Sequence, residues 1–353
     1  MGAVRLSGRT ITTILAGFLA TTCMVAAQAA VGQSAQPPRP VGAIGAIGAP
    51  ATGSPPTVAP GNPLARRPLF VDTDSRPHAQ AARWQTNRPA DAALLERIAR
   101  EPQVMWLGSW YPDIRATVAQ VMRRARSAGQ MPVFAVYNIP QRDCFGPGSG
   151  APSAQAYRRW IADVAAGIGT GPAGVIVEPD ALAAVTCLSP PLQRQRLSLL
   201  RWATARLAAN PNTAVYVDAG HATWVPAGEM ARRLRAVGVQ RARGFSLNVA
   251  NFLTTAANIR YGTRVSRLVG GAHFVVDTGR NGAGPKPGDW CNPAGRALGA
   301  APTAATGHPL MDAGLWVKAP GESDGSCNGG PPGGHFWPAY ALGLVRRAQA
   351  PGR

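Results

Sequence analysis

At 353 residues, 46% of them hydrophobic, the chain is long enough for one large α/β domain with appendages and can bury a sizeable core. Its 36 Lys and Arg against 17 Asp and Glu give a net charge of +19. The arginines are scattered through helix-like stretches such as 123–126 and 232–235, and no helix-turn-helix, zinc-finger or RNA-binding consensus accompanies them. No nucleic-acid partner is therefore expected, and the charge suits acidic surfaces instead.

In chain order, Arg5 and Arg9 precede an apolar run over 11–27, and Ala27-Gln28-Ala29 offers small residues for cleavage. Residues 1–30 read as a removable secretory signal. The run is too short for a stable membrane span, so the protein is expected to be extracellular. Residues 31–62 are rich in Pro, Gly and Ala and read as a linker that cannot bury enough apolar area to offset its ordering entropy. Residues 63–353 then read as one catalytic domain. Strands are predicted at 69–72, 104–107, 133–137, 175–177, 214–217, 244–248, 274–277 and 315–318. Helices are predicted at 113–128, 154–168, 192–209 and 228–237, and 346–353 as a frayed tail. Alternating strands and helices imply a parallel sheet covered on both faces. Closure into a barrel would let loops from early, middle and late strands meet on one face.

Those loops carry acids. Asp143, Asp180, Asp218 and Asp324 each follow an apolar run, within MPVFAVYNIPQRDC, AGVIVEPD, TAVYVDAGH and GLWVKAPGESDG. A single Asp in such a place is ordinarily a cap or turn former. Four together suit hydrolysis of a glycosidic bond, in which one carboxyl keeps its proton for the leaving oxygen while other carboxylates support positive charge and guide water. Other chemistries lack their residues. No phosphate-binding or dinucleotide-binding glycine loop occurs, Ser149 is not in a G-x-S-x-G elbow, and five histidines form no H-E-x-x-H pair. Neither a cofactor nor a metal is expected. Trp106, Trp110, Tyr111, Trp224 and Trp290 fall at strand ends or just after them, where indoles can stack on pyranose faces or serve the core. Beyond the leader, Cys144, Cys187, Cys291 and Cys327 allow three pairings. Sequential pairing would close two loops of about 40 residues, each worth roughly 2–4 kcal/mol, beside Asp143 and Asp324.

The blocks Tyr137-Asn138-Ile139-Pro140-Gln141-Arg142-Asp143-Cys144, Val177-Glu178-Pro179-Asp180, Tyr216-Val217-Asp218-Ala219-Gly220-His221, Asp289-Trp290-Cys291-Asn292 and 316–325 occur in the order found in glycoside hydrolase family 6, which the chain resembles from about Asn62 to Tyr340. The resemblance implies a distorted, TIM-like α/β barrel of about seven or eight parallel strands, cofactor-free cleavage of β-1,4-glucan with inversion, and a secreted monomer. It implies Asp180 as general acid, Asp143 as the charge that holds its proton, and Asp324 as base, directly or through relayed water. Tyr137, Ser149, Asp218, Trp224, Trp290, Lys318, Glu322, Trp106 and Asn248 would contact substrate or order water. The disulfides implied are Cys144–Cys187 and Cys291–Cys327. Asn138 departs from the family, which often has Asp there, but every proton-transfer residue is present. The compact 291–327 segment and the short C-terminus favour an open groove and internal cleavage. The alternatives are end-wise, cellobiohydrolase-type action and a glucan-binding protein or adhesin with negligible turnover.

Overall fold

The computed structural model describes residues 61–144 and 149–349. The expected signal and nearly all of the expected linker lie outside them. Asn62 lies inside and belongs to the fold: it is buried, and its Nδ2 donates to the Asp312 carbonyl at 2.6 Å.

Seven parallel strands follow one another in chain order across a single curled sheet. They are β1 (Met105–Leu107), β2 (Val133–Val136), β3 (Ala173–Val177), β4 (Thr213–Asp218), β5 (Gly244–Leu247), β6 (His273–Asp277) and β7 (Met311–Leu315). Helices α3 (Ile114–Ser127), α4 (Ala154–Ile168), α5 (Pro190–Ala208), α6 (Ala227–Ala236) and α7 (Thr255–Leu268) make the first five crossovers, after α1 (Arg76–Trp84) and α2 (Pro89–Ala99). The last crossover, from β6 to β7, is a long loop, and α8 (Pro338–Gln349) ends the described chain.

Period-two alternation divides the apolar side chains between two layers. Phe134, Val136, Val175, Val177, Val215 and Val217 face the helices. Val133, Ala135, Ile176, Ala214 and Tyr216 fill the inside of the curl with Val275, Ala313 and Leu315. Burial on both faces explains why these strands read as continuous apolar runs. Gly244 opens β5 where a Cβ would come within 1.7 Å of the His273 carbonyl oxygen, so only glycine allows β6 to approach.

The curl does not close by a ladder. β1 and β7 meet through one backbone bond, Val104 N–H to Trp316 C=O at 3.0 Å, and through the Trp106 indole N–H, which donates to the Val317 carbonyl at 2.7 Å. At the opposite end from the strand C-termini, the fully buried Asp312 accepts from Tyr216 Oη at 2.8 Å and from Arg243 Nε and Nη2 at 2.8 and 2.9 Å. His273 Nδ1 lies 3.0 Å from Asp312 Oδ1, the oxygen that Arg243 Nη2 also bonds. One carboxylate thus ties β4, β6, β7 and the entry to β5.

Three predicted elements differ. The strand expected at 69–72 is a single bridge, Leu69 with Met131. Pro68 and Pro132 have no N–H to extend a ladder, and Val71 N–H turns to Gln130 Oε1 at 3.2 Å. The last strand lies at Met311–Leu315 rather than 315–318, because the Val317 and Lys318 N–H groups bond the Asp277 carboxylate at 3.2 and 3.0 Å instead of a neighbouring strand. Residues 346–349, expected to fray, complete α8, whose Leu342, Leu344 and Val345 pack with Leu95, Ile98 and Trp316.

Candidate active site

The acids meet at the C-terminal ends of the strands: Asp218 and Asp324 accept backbone N–H groups, whereas Asp143 and Asp180 are fixed by bonds that their own N–H groups donate. After β2 the chain bends sharply through Asn138 and Ile139, whose N–H groups bond the buried Glu178 carboxylate at 3.0 Å. Burial pushes Glu178 up to about 7, against the pull of those donors and Arg142. Glu178 is the anchor of the loop that carries Tyr137 and Asp143. On that loop Tyr137 Oη donates to Asp143 Oδ1 at 3.2 Å, and Arg142 lies 3.4 Å from the other oxygen. The Asp143 N–H donates to Ser149 Oγ at 3.0 Å. Cys144 is bonded to Cys187, so the arm is fastened to the segment after β3.

Glu178 and Asp180 have φ of 51° and 69°, a left-handed conformation that costs a non-glycine residue energy. The turn they make aims Asp180 across the rim, where its N–H is fixed by Asp218 Oδ2 at 2.9 Å. Asp218 is fully buried and also accepts from Gly220 N–H at 3.1 Å and Ser246 Oγ at 2.9 Å. Burial first, then the charges of Asp143 and Asp324, push the Asp180 carboxyl up to about 6. Burial and then Asp180 raise Asp218 as well.

On the far side, Asp324 Oδ2 accepts from Arg280 Nη1 at 2.8 Å and Asn292 N–H at 2.9 Å, while its own N–H donates to Asn292 Oδ1 at 2.8 Å. The Cys291–Cys327 disulfide closes this second arm. Both pairings agree with the sequential arrangement. Lys318 Nζ donates to Glu322 Oε1 at 2.8 Å and the Ser323 carbonyl at 3.1 Å. Its ammonium stands 5.8 Å from the Trp106 ring, which meets Tyr137 edge-on at 5.1 Å. Trp224 and Trp290 are 39% and 64% exposed, far more than a core indole.

Of the residues singled out in the sequence, Asp218 and Asn248 lie beneath the rim, and Asn248 has no contact with the four acids. Asn248 is fully buried, and its Nδ2 donates to the Leu253 and Asp277 carbonyls at 3.1 and 2.9 Å. Besides Glu178, three supporting residues were not foreseen. Asp277 accepts the N–H groups of Ala250, Gly279, Val317 and Lys318, which joins the ends of β5, β6 and β7. Arg280, 1% exposed, pairs with Asp324, and Asn292 brackets that acid from both sides. Asp277 ends the apolar run FVVD just as the four chosen acids end theirs, so the same criterion finds it. Arg280 and Asn292 carry no such mark. Among the described residues no group of three His, Cys, Asp or Glu side chains could hold a metal ion.

A partly exposed carboxyl that keeps its proton to about pH 6, facing two further carboxylates at the rim of an α/β barrel, is equipped for acid–base cleavage by water. The chain belongs to the glycosyl hydrolases family 6, whose model matches residues 64–348. It is 46% identical to an endoglucanase A of Cellulomonas fimi, over 75% of this chain and 59% of that protein, and 42% identical to an endoglucanase A of Thermobispora bispora, over 80% and 63%. The chain thus spans about six-tenths of the length of these two relatives. An endoglucanase of Mycobacterium tuberculosis, solved with methyl-cellobiosyl-4-deoxy-4-thio-β-D-cellobioside, superposes with a TM-score of 0.78 at 49% identity, covering 82% of this chain and 100% of that one.

Proposed function

We propose that the protein is an endo-β-1,4-glucanase that hydrolyses cellulose-type β-glucan with inversion. The observation that carries this reading is the raised Asp180 carboxyl, held within the influence of Asp143 and Asp324. Asp180 gives its proton to the leaving glycosidic oxygen. Asp143, bonded to Tyr137 Oη, keeps that proton in place and orders water together with Ser149. Asp324 has Oδ2 occupied by Arg280 and Asn292, which leaves Oδ1 to guide water on the opposite side of the sugar ring, directly or by relay. Tyr137 presses on the sugar at the scissile bond. Trp106, Trp224 and Trp290 offer stacking faces, and Lys318, Glu322 and Asp218 offer polar contacts or support. Names of relatives at 40–49% identity over most of this chain favour internal cleavage. Soluble carboxymethyl cellulose should lose viscosity faster than reducing ends accumulate. A product pattern released only from chain ends would overturn the endo assignment.

The same reading fixes a pH dependence. A general acid works only while protonated, so kcat/KM falls as pH rises through about 6, the value to which burial and the two neighbouring carboxylates lift Asp180. Asp143→Asn removes one of the charges that raise it, so ionisation becomes easier and the alkaline limb moves to lower pH. A pH–rate profile in which that limb stays put would remove Asp143 from this role.

Export and action outside the cell are part of the proposal, supported by the leader-like 1–30 segment and the two disulfides. Among the described residues no helix is long and apolar enough to cross a membrane. The protein acts as a monomer on this reading, with the glucan as its partner.

A further inference from the structure

Trp110 is half exposed and belongs to none of the three apolar clusters, although its neighbour Tyr111 packs against the largest. It lies just past β1, on the same rim as the acids, in a turn closed by the Tyr111 N–H to the Gly108 carbonyl at 3.3 Å. A Cβ on Gly108 would lie 2.2 to 2.6 Å from three atoms of the indole's six-membered ring. The ring therefore rests on bare glycine backbone, a placement that any larger residue forbids. It is also tied to the catalytic loop: the Arg142 guanidinium stands 5.9 Å from the Trp110 ring and 4.5 Å from the Tyr137 ring, and Arg142 Nη1 donates to the Tyr137 carbonyl at 3.1 Å.

An indole backed by backbone and open to water has little freedom to lose when it stacks, which is the condition for a productive aromatic contact. We infer that Trp110 is an outer sugar platform, taking one glucosyl unit of a β-glucan chain beyond the units held by Trp106 and Tyr137, and that Gly108 exists to set it. The inference rests on the proposed glucan specificity of the groove. It makes Trp110 a determinant of preference for longer chains, with no part in the bond-breaking step.

The test is a chain-length series with cellotriose, cellotetraose, cellopentaose and cellohexaose, read by kcat/KM and, in an Asp180→Ala background, by calorimetric affinity. Trp110→Ala should lose about tenfold on cellohexaose, the worth of one good aromatic contact, and less than about twofold on cellotriose. Trp110→Phe should restore most of the loss. Gly108→Ala should reproduce the length-dependent defect, and unchanged thermal melting would show that both variants fold. Equal losses at every length, or none, would overturn the inference while leaving glucan hydrolysis intact. Failure of the parent protein to bind or cleave any member of the series would overturn both.

Discussion

Asp180→Ala is expected to lower kcat on unactivated β-glucan by about 10²–10⁴-fold, the usual worth of a positioned general acid, while cello-oligosaccharide affinity changes little. The turn that aims this residue is fixed by Asp218 at its N–H and by two left-handed backbone conformations, none of which needs the carboxyl itself. The fold should therefore survive the change. Substrates with a good aryl leaving group require little proton donation, so the variant should lose much less on them. Initial rates on both substrate types, together with calorimetric affinity, give the answer. Parent-like turnover on unactivated glucan would reassign the acid. Loss of affinity together with turnover would mean that Asp180 mainly holds the sugar.

The second large effect lies at the other end of the barrel. Asp312→Ala should destabilise the protein by roughly 3–5 kcal/mol, the cost of breaking a buried ion pair from one side. The substitution leaves the Tyr216 hydroxyl without its acceptor inside the curl and takes away the acceptor of two guanidinium bonds from Arg243. Because Asp312 joins β4, β6, β7 and the entry to β5, the loss should appear in the global unfolding transition rather than in one loop. Denaturant titration measures it. Asp312→Asn should recover part of the stability by keeping hydrogen-bond acceptance, and the folded fraction of either variant should keep the parent's kcat. A shift below about 1 kcal/mol would mean that solvent or repacking replaces the carboxylate easily.

Most of the strand layer was legible because it is buried on both faces. Runs such as 133–136 and 173–177 admit no polar residue, and the acids that follow them mark where the chain leaves the core. Helices α3 and α4 were legible for a complementary reason: Asp113 and Ser153 cap their first turns, bonding the N–H groups of Ala116 and Ala156 at 2.9 and 3.1 Å, and apolar stripes follow. Helix α7 is harder to see, since its buried face includes Asn258, Gly262 and Ser266, which break the apolar period. Within the site, residues that act from the rim announced themselves by type and place. Those that act from beneath did so only where an acid ends an apolar run, as at Asp218 and Asp277, and there the sequence shows the residue but not its role. Glu178 and Asp277 work by collecting N–H groups from loops distant in sequence, and Arg280 by neutralising one acid. Such roles depend on which loops fold over which, and that is settled only when the sheet curls.

The two sulfur links lie in the arms that carry Asp143 and Asp324, and the strands beneath have no covalent tie of their own. A thiol-rich medium would accordingly slacken both acid-bearing arms together and spare the frame. On the proposed reading, full competence would depend on oxidation after synthesis, and a molecule still inside a reducing compartment would be held short of its working form by the chemistry of its surroundings.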